Sequence, residues 1–333
     1  MPKFTSPFSK ISARDIKTAG GKGASLGEMI NVKIPVPNGF VILADAFDYF
    51  LSARSRAETA EVGLEIKAQL SQINFDDINS IDRASNIIRD IINDTKIQKV
   101  LINEINAEFK KLKAKSVAVR SSATAEDSIV ASWAGELETY LNTTKKTLLK
   151  NVKKCWSSLY TSRAIFYRYE KNLVDQKIGV AVVVQKMIQS EISGVCFTVH
   201  PITKDKNQMI IEAGYGLGEA IVSGQITPDS YIVNKYRDEA VPRLYDGEFE
   251  ILDINIAEQE KMLVRKNSTS SGIVWQPVSK SKQEKQKLNN KQIIELSKIC
   301  CQIEKHYKKP QDIEWAFSKG KFYITQSRPI TTL

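Results

Sequence analysis

The sequence predicts a mixed fold of helices and strands, and three observations predict it. Residues 17–30, 80–113, 143–171 and 290–307 read as helices, the middle two marked by apolar side chains at helical spacing. Shorter runs at 115–120, 178–188, 194–199 and 208–212 have the length and composition of strands. Near the end of the chain, two alternating segments flank Ser318-Lys319-Gly320 and read as a hairpin.

In order, Gly20-Gly21-Lys22-Gly23 is a turn running into a helix, where small residues let backbone N–H groups approach an anion and Lys22 adds charge. It is not a Walker A loop, because Gly23 stands where Ser or Thr would follow the lysine; taken singly, such a turn is more often just a loop. Val36-Pro37-Asn38-Gly39 feeds a strand, and a helix is expected to open with Asp45 as N-cap. Residues 80–113 form helical core. The strand at 115–120 ends on Arg120, beside Ser121, Ser122 and Thr124, a setting suited to phosphate oxygens or to a salt-bridged loop.

Trp133-Ala134-Gly135-Glu136 interrupts before a strand-like 137–142, and its small residues fit a mobile lid. Residues 143–171 are expected to form one long amphipathic helix carrying Leu148, Val152, Trp156 and Leu159. The apolar run 178–188 predicts a strand buried on both sides, with Met187 at its end as core or as a ligand contact. Gly214-Tyr215-Gly216-Leu217-Gly218-Glu219 lacks the spacing and strand–helix alternation of a dinucleotide fingerprint; it reads as a tight structural turn with Glu219 beside it. Residues 246–286 are expected to be loops, and 290–307 a last helix stopped ahead of Pro310.

The terminal hairpin holds unusual polar residues for a solvated face: Glu314, Gln326 and Arg328. A two-residue loop would pair Glu314 with Thr325 and put Gln326 on the opposite face. A three-residue loop ending on a left-handed Gly320 puts all three on one face, and that odd-length loop is the expectation. Glu and Gln oxygens suit magnesium and Arg suits phosphate, although an edge hairpin facing water would carry similar residues.

Composition narrows the function classes. A chain of 333 residues, 42% hydrophobic and 26% charged, has the balance of a globular protein with room for more than one lobe. No apolar run approaches the about 20 residues that cross a bilayer, and residues 1–10 lack the apolar core of a signal peptide. The four cysteines show no metal-ligand spacing, which fits reduced thiols and a cytoplasmic protein. The net charge of +10 comes from lysines spread along the chain, with no nucleic-acid-binding motif beside them, so neither nucleic acid nor a membrane is expected as partner.

Taken together, Gly20-Gly21-Lys22-Gly23-Ala24-Ser25-Leu26-Gly27-Glu28-Met29, Val117-Ala118-Val119-Arg120-Ser121-Ser122, Asp312-Ile313-Glu314-Trp315 and Gln326-Ser327-Arg328-Pro329 resemble the ATP-binding domain of the phosphoenolpyruvate synthase and pyruvate phosphate dikinase family, a domain that rifampicin phosphotransferase shares. The resemblance runs over nearly the whole chain. It implies an α+β, ATP-grasp fold: two lobes and a lid, with the nucleotide between them. The expected division is 1–188 for the first lobe with the lid and 189–333 for the second. By the same resemblance, Lys22, Arg120 and Arg328 hold phosphates and serve catalysis, and Gly135 and Thr139 belong to the lid region. Gln185 and Met187 lie by adenine, and Glu314 and Gln326 ligate magnesium. ATP and Mg2+ are the implied cofactors.

The family passes a phosphoryl group from ATP to a histidine on a swivelling carrier domain, with AMP as product. This sequence has two histidines, and neither has the surround of a carrier histidine: His200 stands where the family usually shows Asp before Pro, and His306 lies on the last helix. Both are read as structural. A histidine carrier domain or subunit and a pyruvate-site domain on another chain are therefore the expected partners. The alternatives are the ATP-binding part of a rifampicin phosphotransferase-like enzyme and a non-catalytic nucleotide-binding subunit.

Overall fold

A computed structural model describes residues 3–54, 60–124, 127–128, 131–132, 138–173, 178–235, 249–266 and 272–331. The chain forms two compact units. The first comprises Met1–Glu28, Asn38–Met187 and Asn267–Gly272, the second Met29–Pro37, Ile188–Lys266 and Ile273–Leu333. The segment Met29–Pro37 belongs to the second unit and Asn267–Gly272 to the first.

In the first unit, five described strands form an antiparallel sheet: β1 (Thr5–Pro7), β2 (Gly39–Ile42), β3 (Val117–Ala123), β6 (Thr139–Thr143) and β7 (Val180–Lys186), in the order β1-β2-β7-β3-β6. A short pair, β4 (Asp127–Ser128) with β5 (Ala131–Ser132), follows β3. β3 and the β7 residues Val180 to Gln185 are buried throughout, as a central pair must be when both faces are covered. One face carries Val117, Val119, Val182 and Val184 into a core with α2 (Ala44–Leu51), α4 (Ile78–Asp94), α5 (Lys99–Leu112) and α6 (Leu148–Ser157). Trp156 is its centre, with ring centroids 5.6 Å from Phe47 and 4.9 Å from Phe50. The other face carries Val41, Val183, Ser122 and Arg120, and α1 (Ile16–Asn31) packs on it: a Cβ at Gly23 would stand 3.0 Å from Val41.

Several expected elements are corrected. α2 begins at Ala44 with Leu43 at its N-cap, and Asp45 sits inside the first turn. The helical stretch 80–113 is two helices, parted at Thr95, whose backbone is extended. The single helix expected over 143–171 is α6, a 3-10 turn at Ser158–Tyr160 and α7 (Ser162–Glu170). Hydroxyls cause the break: Ser157 and Ser158 donate to the carbonyls of Lys154 and Cys155, and Thr161 caps α7 by accepting from Ala164 N–H at 3.1 Å.

The second unit is built on a six-stranded antiparallel sheet among the described residues. Its strands are β8 (Ile192–Phe197), β9 (Gln208–Tyr215), β10 (Asp229–Lys235), β11 (Phe249–Asn255), β14 (Gln311–Ser318) and β15 (Lys321–Pro329), in the order β11-β10-β9-β8-β14-β15. α10 (Asn290–Tyr307) packs against β11 and β14 over the face that buries Cys196, Ile211, Ile313 and Trp315. It has the length expected, opened by a capping box in which Asn289 and Gln292 exchange hydrogen bonds. Part of 246–286, expected as loops, is instead β11 and a ribbon of β12 (Lys261–Arg265) with β13 (Ile273–Pro277). A bulge in β11 opposite Ile232/Val233 breaks the alternation that would have marked the strand. Among the described residues no helix is long and apolar enough to cross a membrane.

Loops are tied to this sheet by a buried carboxylate. Asp229 accepts from Lys287 Nζ at 2.7 Å, Lys287 N–H at 2.8 Å, Tyr231 O–H at 2.8 Å and Ala257 N–H at 3.0 Å. Both charged side chains are fully buried. Removing one leaves the other in low dielectric with no counter-charge. Asp229→Ala is therefore expected to cost about 3–5 kcal/mol in urea unfolding; a loss under about 1 kcal/mol would mean the pair does not carry this strain.

Candidate functional site

The terminal hairpin turns through two residues, Lys319 (φ 52) and Gly320 (φ 73), with Ser318 opposite Lys321. Two successive left-handed residues make the turn whose twist matches the strands. The three-residue loop expected from sequence is thus corrected. The register change comes from a bulge at Thr325 instead: Trp315 pairs with Ile324, but Glu314 pairs with Gln326 and Asp312 with Arg328. One extra residue in β15 places Glu314, Gln326 and Arg328 on a single face while keeping Trp315 and Ile324 in the core.

That face is half-buried. Asp312 and Glu314 are partly covered, Gln326 is buried, and Arg328 is exposed but held, its Nε donating to Asp312 Oδ2 at 2.8 Å and its Nη2 lying 2.7 Å from the same oxygen. Asp312 was missed in the sequence, although it lies two residues before Glu314 and the alternation puts it on the same face. Ladder pairing continues the row across the sheet, Gln326–Glu314–Val195–Glu212. Burial pushes the Asp312 carboxyl above the usual carboxylate range, Arg328 opposes the shift and Glu314 adds to it. Glu212 is raised likewise by burial and by the charge of Asp312.

In the first unit, α1 is interrupted at Gly20 (φ 68, ψ 170), a conformation that favours glycine. A Cβ there would stand 2.2 Å from Ser122 Oγ. Ser122 Oγ donates to the Ala19 carbonyl at 3.1 Å and accepts from Gly23 N–H at 3.3 Å, so β3 stitches both sides of the kink and fixes where Lys22 leaves the helix. Arg120, on the same face of β3, is 8% exposed and pairs with Thr139 on one side and Val183 on the other. Gln185 is two residues along β7 from Val183 and therefore shares the face; Met187 follows it, half-buried, its N–H bonded to the Ser116 carbonyl. The unit thus brings Lys22, Arg120, Thr139 and Gln185 to the α1 side of one sheet, with Met187 just past the end of β7. Gly135 and the expected lid at 133–136 lie outside the described residues.

The residues fit the implied nucleotide and cation on two counts. Gln185 is 3% exposed, and its Nε2 meets no hydrogen-bond partner among the described residues, so a donor is held in a polar place that awaits an acceptor. Among the described residues no three His, Cys, Asp or Glu side chains form a metal cage. One carboxylate and one amide, as at Glu314 and Gln326, instead leave most of a magnesium ion's octahedron to phosphate and water.

The remaining motifs are structural. Tyr215, Gly216 and Leu217 give their N–H groups to Gln259 Oε1, the Glu191 carbonyl and the Leu263 carbonyl, so the glycine-rich turn has spent these donors on the fold. His200 is buried, and its Nδ1 accepts from Ile202 and Thr203 N–H at 3.3 and 3.2 Å, the part an Asp oxygen plays in an Asx turn. His306 packs edge-on against Tyr307.

Residues 16–333 match the family described as "Pyruvate phosphate dikinase, AMP/ATP-binding domain". The chain is 43% identical to a probable phosphoenolpyruvate synthase of Methanocaldococcus jannaschii, over 99% of this chain and 27% of the relative. It is 40% identical to the phosphoenolpyruvate synthase of Pyrococcus furiosus, over 99% of this chain and 44% of the relative. It is 36% identical to the rifampicin phosphotransferase of Bacillus subtilis, over 97% of this chain and 35% of the relative. The chain therefore spans less than half the length of these curated relatives.

A carboxyl whose proton is held to higher pH in the native state makes that state bind more protons just above the ordinary carboxylate range, so stability falls as pH rises through that window. Glu212→Gln is expected to raise stability at pH 7 and leave it unchanged below the carboxylate range, as measured by urea unfolding at both pH values. A variant less stable at pH 7 would contradict the assignment of a strained carboxylate.

Proposed function

Because the chain belongs to the family of pyruvate phosphate dikinase AMP/ATP-binding domains, we propose that it is the ATP- and magnesium-binding phosphotransferase module of a phosphoenolpyruvate synthase-type dikinase with an ATP-grasp fold. In this reading the phosphoryl group passes to a histidine on a separate carrier domain or subunit, AMP is the product, and a pyruvate-site domain on another chain completes the cycle. The observation that most supports it is the pairing of Glu314 with Gln326 at the Thr325 bulge, with Arg328 held beside them by Asp312.

Phosphoryl transfer asks little covalent chemistry of a protein; it asks for cations and in-line positioning. Bound magnesium supplies charge neutralisation of the polyphosphate. Glu314 and Gln326 hold that cation by one carboxylate and one amide oxygen, and the Asp312 carboxylate orients the Arg328 guanidinium toward phosphate oxygens. Lys22, placed by the Gly20 kink, and Arg120, anchored in a buried strand, add fixed positive charge that needs no reorganisation during the reaction. Gln185 offers its amide N–H to the base, and Met187 packs beside it. Identity to rifampicin phosphotransferase favours a second reading with the same ATP half-reaction and a different final acceptor.

Calorimetry of the chain with Mg-ATP is expected to show saturable binding that weakens when magnesium is withheld; no binding by folded protein would overturn the reading. With an added histidine carrier protein, Glu314→Ala and Arg328→Ala should each slow formation of phosphohistidine and AMP on the order of a hundredfold. Unchanged rates would reject the role of that residue.

A further inference from the structure

We propose that Glu212 accepts a hydrogen bond from a ribose hydroxyl of the bound nucleotide and so selects ribonucleoside over deoxyribonucleoside triphosphates. The inference rests on the nucleotide reading above and names a specificity-determining residue that the motifs do not include. Register carries it first. Glu212 faces Val195 on β8, and Val195 faces Glu314 on β14, so the two carboxylates share a sheet face and a ladder row with one apolar residue between them. Two strand spacings separate them by roughly 10 Å, the span that leads from a nucleotide's metal-bound phosphates back to its sugar.

The state of the carboxylate carries it second. Glu212 is half-buried, and its side chain makes no hydrogen bond or ion pair among the described residues. Such an acceptor costs stability where it sits and returns nothing to the fold. Places where a chain breaks the rule of satisfied polar groups are where function is to be sought. Val195 and Ser230 flank Glu212 in its own row. The adjoining row runs from the half-buried Ile232, Ile210 and Phe197 to Asp312 and Arg328, whose guanidinium is turned to Asp312, so a ligand hydroxyl is the donor proposed for Glu212. A carboxylate is the usual acceptor for ribose hydroxyls, because it offers two oxygens and no competing donor.

The test is calorimetry of the full chain with magnesium and ATP, 2′-deoxy-ATP or 3′-deoxy-ATP, for the unaltered protein, Glu212→Gln and Glu212→Ala. The unaltered protein is expected to bind at least one deoxy analogue about tenfold or more weakly than ATP. Glu212→Ala should bind ATP and that analogue alike, at the affinity the unaltered protein has for the analogue, and Glu212→Gln, which keeps an acceptor oxygen, should retain part of the preference. Equal binding of all three nucleotides by the unaltered protein overturns the inference and leaves the nucleotide reading standing. So does a Glu212→Ala variant that weakens every nucleotide in proportion, the mark of a merely structural role. If the unaltered protein binds no ATP, both fall.

Discussion

One extra residue in a strand sets the polar face of the second unit. Thr325 is the bulge that lets Trp315 and Ile324 stay paired in the core while Glu314 meets Gln326 and Asp312 meets Arg328 on the opposite face. Strand side chains alternate strictly, so without the bulge Gln326 would turn into the α10 side of the sheet. There its amide would lie among Cys196, Ile211 and Ile313, all fully buried. The same device therefore keeps a core apolar and assembles a polar face. The cost is local: one ladder position is interrupted, close to a two-residue turn that needs left-handed backbone at Lys319 and Gly320.

The first unit reaches a comparable end by another route. Its cations are placed by backbone, through a helix that breaks at Gly20 and is stitched to β3 by one hydroxyl. Arg120 sits in a strand buried from Val117 to Ala123, so its guanidinium starts from a rigid base. Rigid placement matters for charge chemistry, since a cation that must reorganise gives back part of what it contributes. In the first unit Arg120 and Gln185 stand on central strands and Lys22 on a helix pinned to one; in the second, Glu314 stands on the interior strand β14 and Gln326 and Arg328 on its edge partner β15.

Much of this was legible in the sequence, for identifiable reasons. The run 178–188 is apolar almost throughout and the helix 290–307 has a clear stop ahead of Pro310, and they appear as β7 and α10. The common face of Glu314, Gln326 and Arg328 was expected, but for the wrong cause, because a Gly-containing turn is compatible with two loop lengths and a bulge leaves no signature in composition. The break at 157–161 was hidden for a related reason: the apolar period continues across it, and only the hydroxyls of Ser157, Ser158 and Thr161 compete with the helix. β11 escaped notice since its own bulge disrupts alternation. Glu212 could not be found at all, as the register between β9 and β14 is set by the intervening β8 and is not a property of either segment.

The central claim, that Glu314 and Gln326 act as one cation site because the bulge sets them face to face, is tested most directly by a double-mutant cycle. Mn2+ binding would be followed by electron paramagnetic resonance in the presence of ATP, for Glu314→Gln, Gln326→Ala and the double variant. Ligands to one ion are coupled, so the double variant should lose clearly less affinity than the sum of the two single losses. Strictly additive losses, or none from either substitution, would contradict the account.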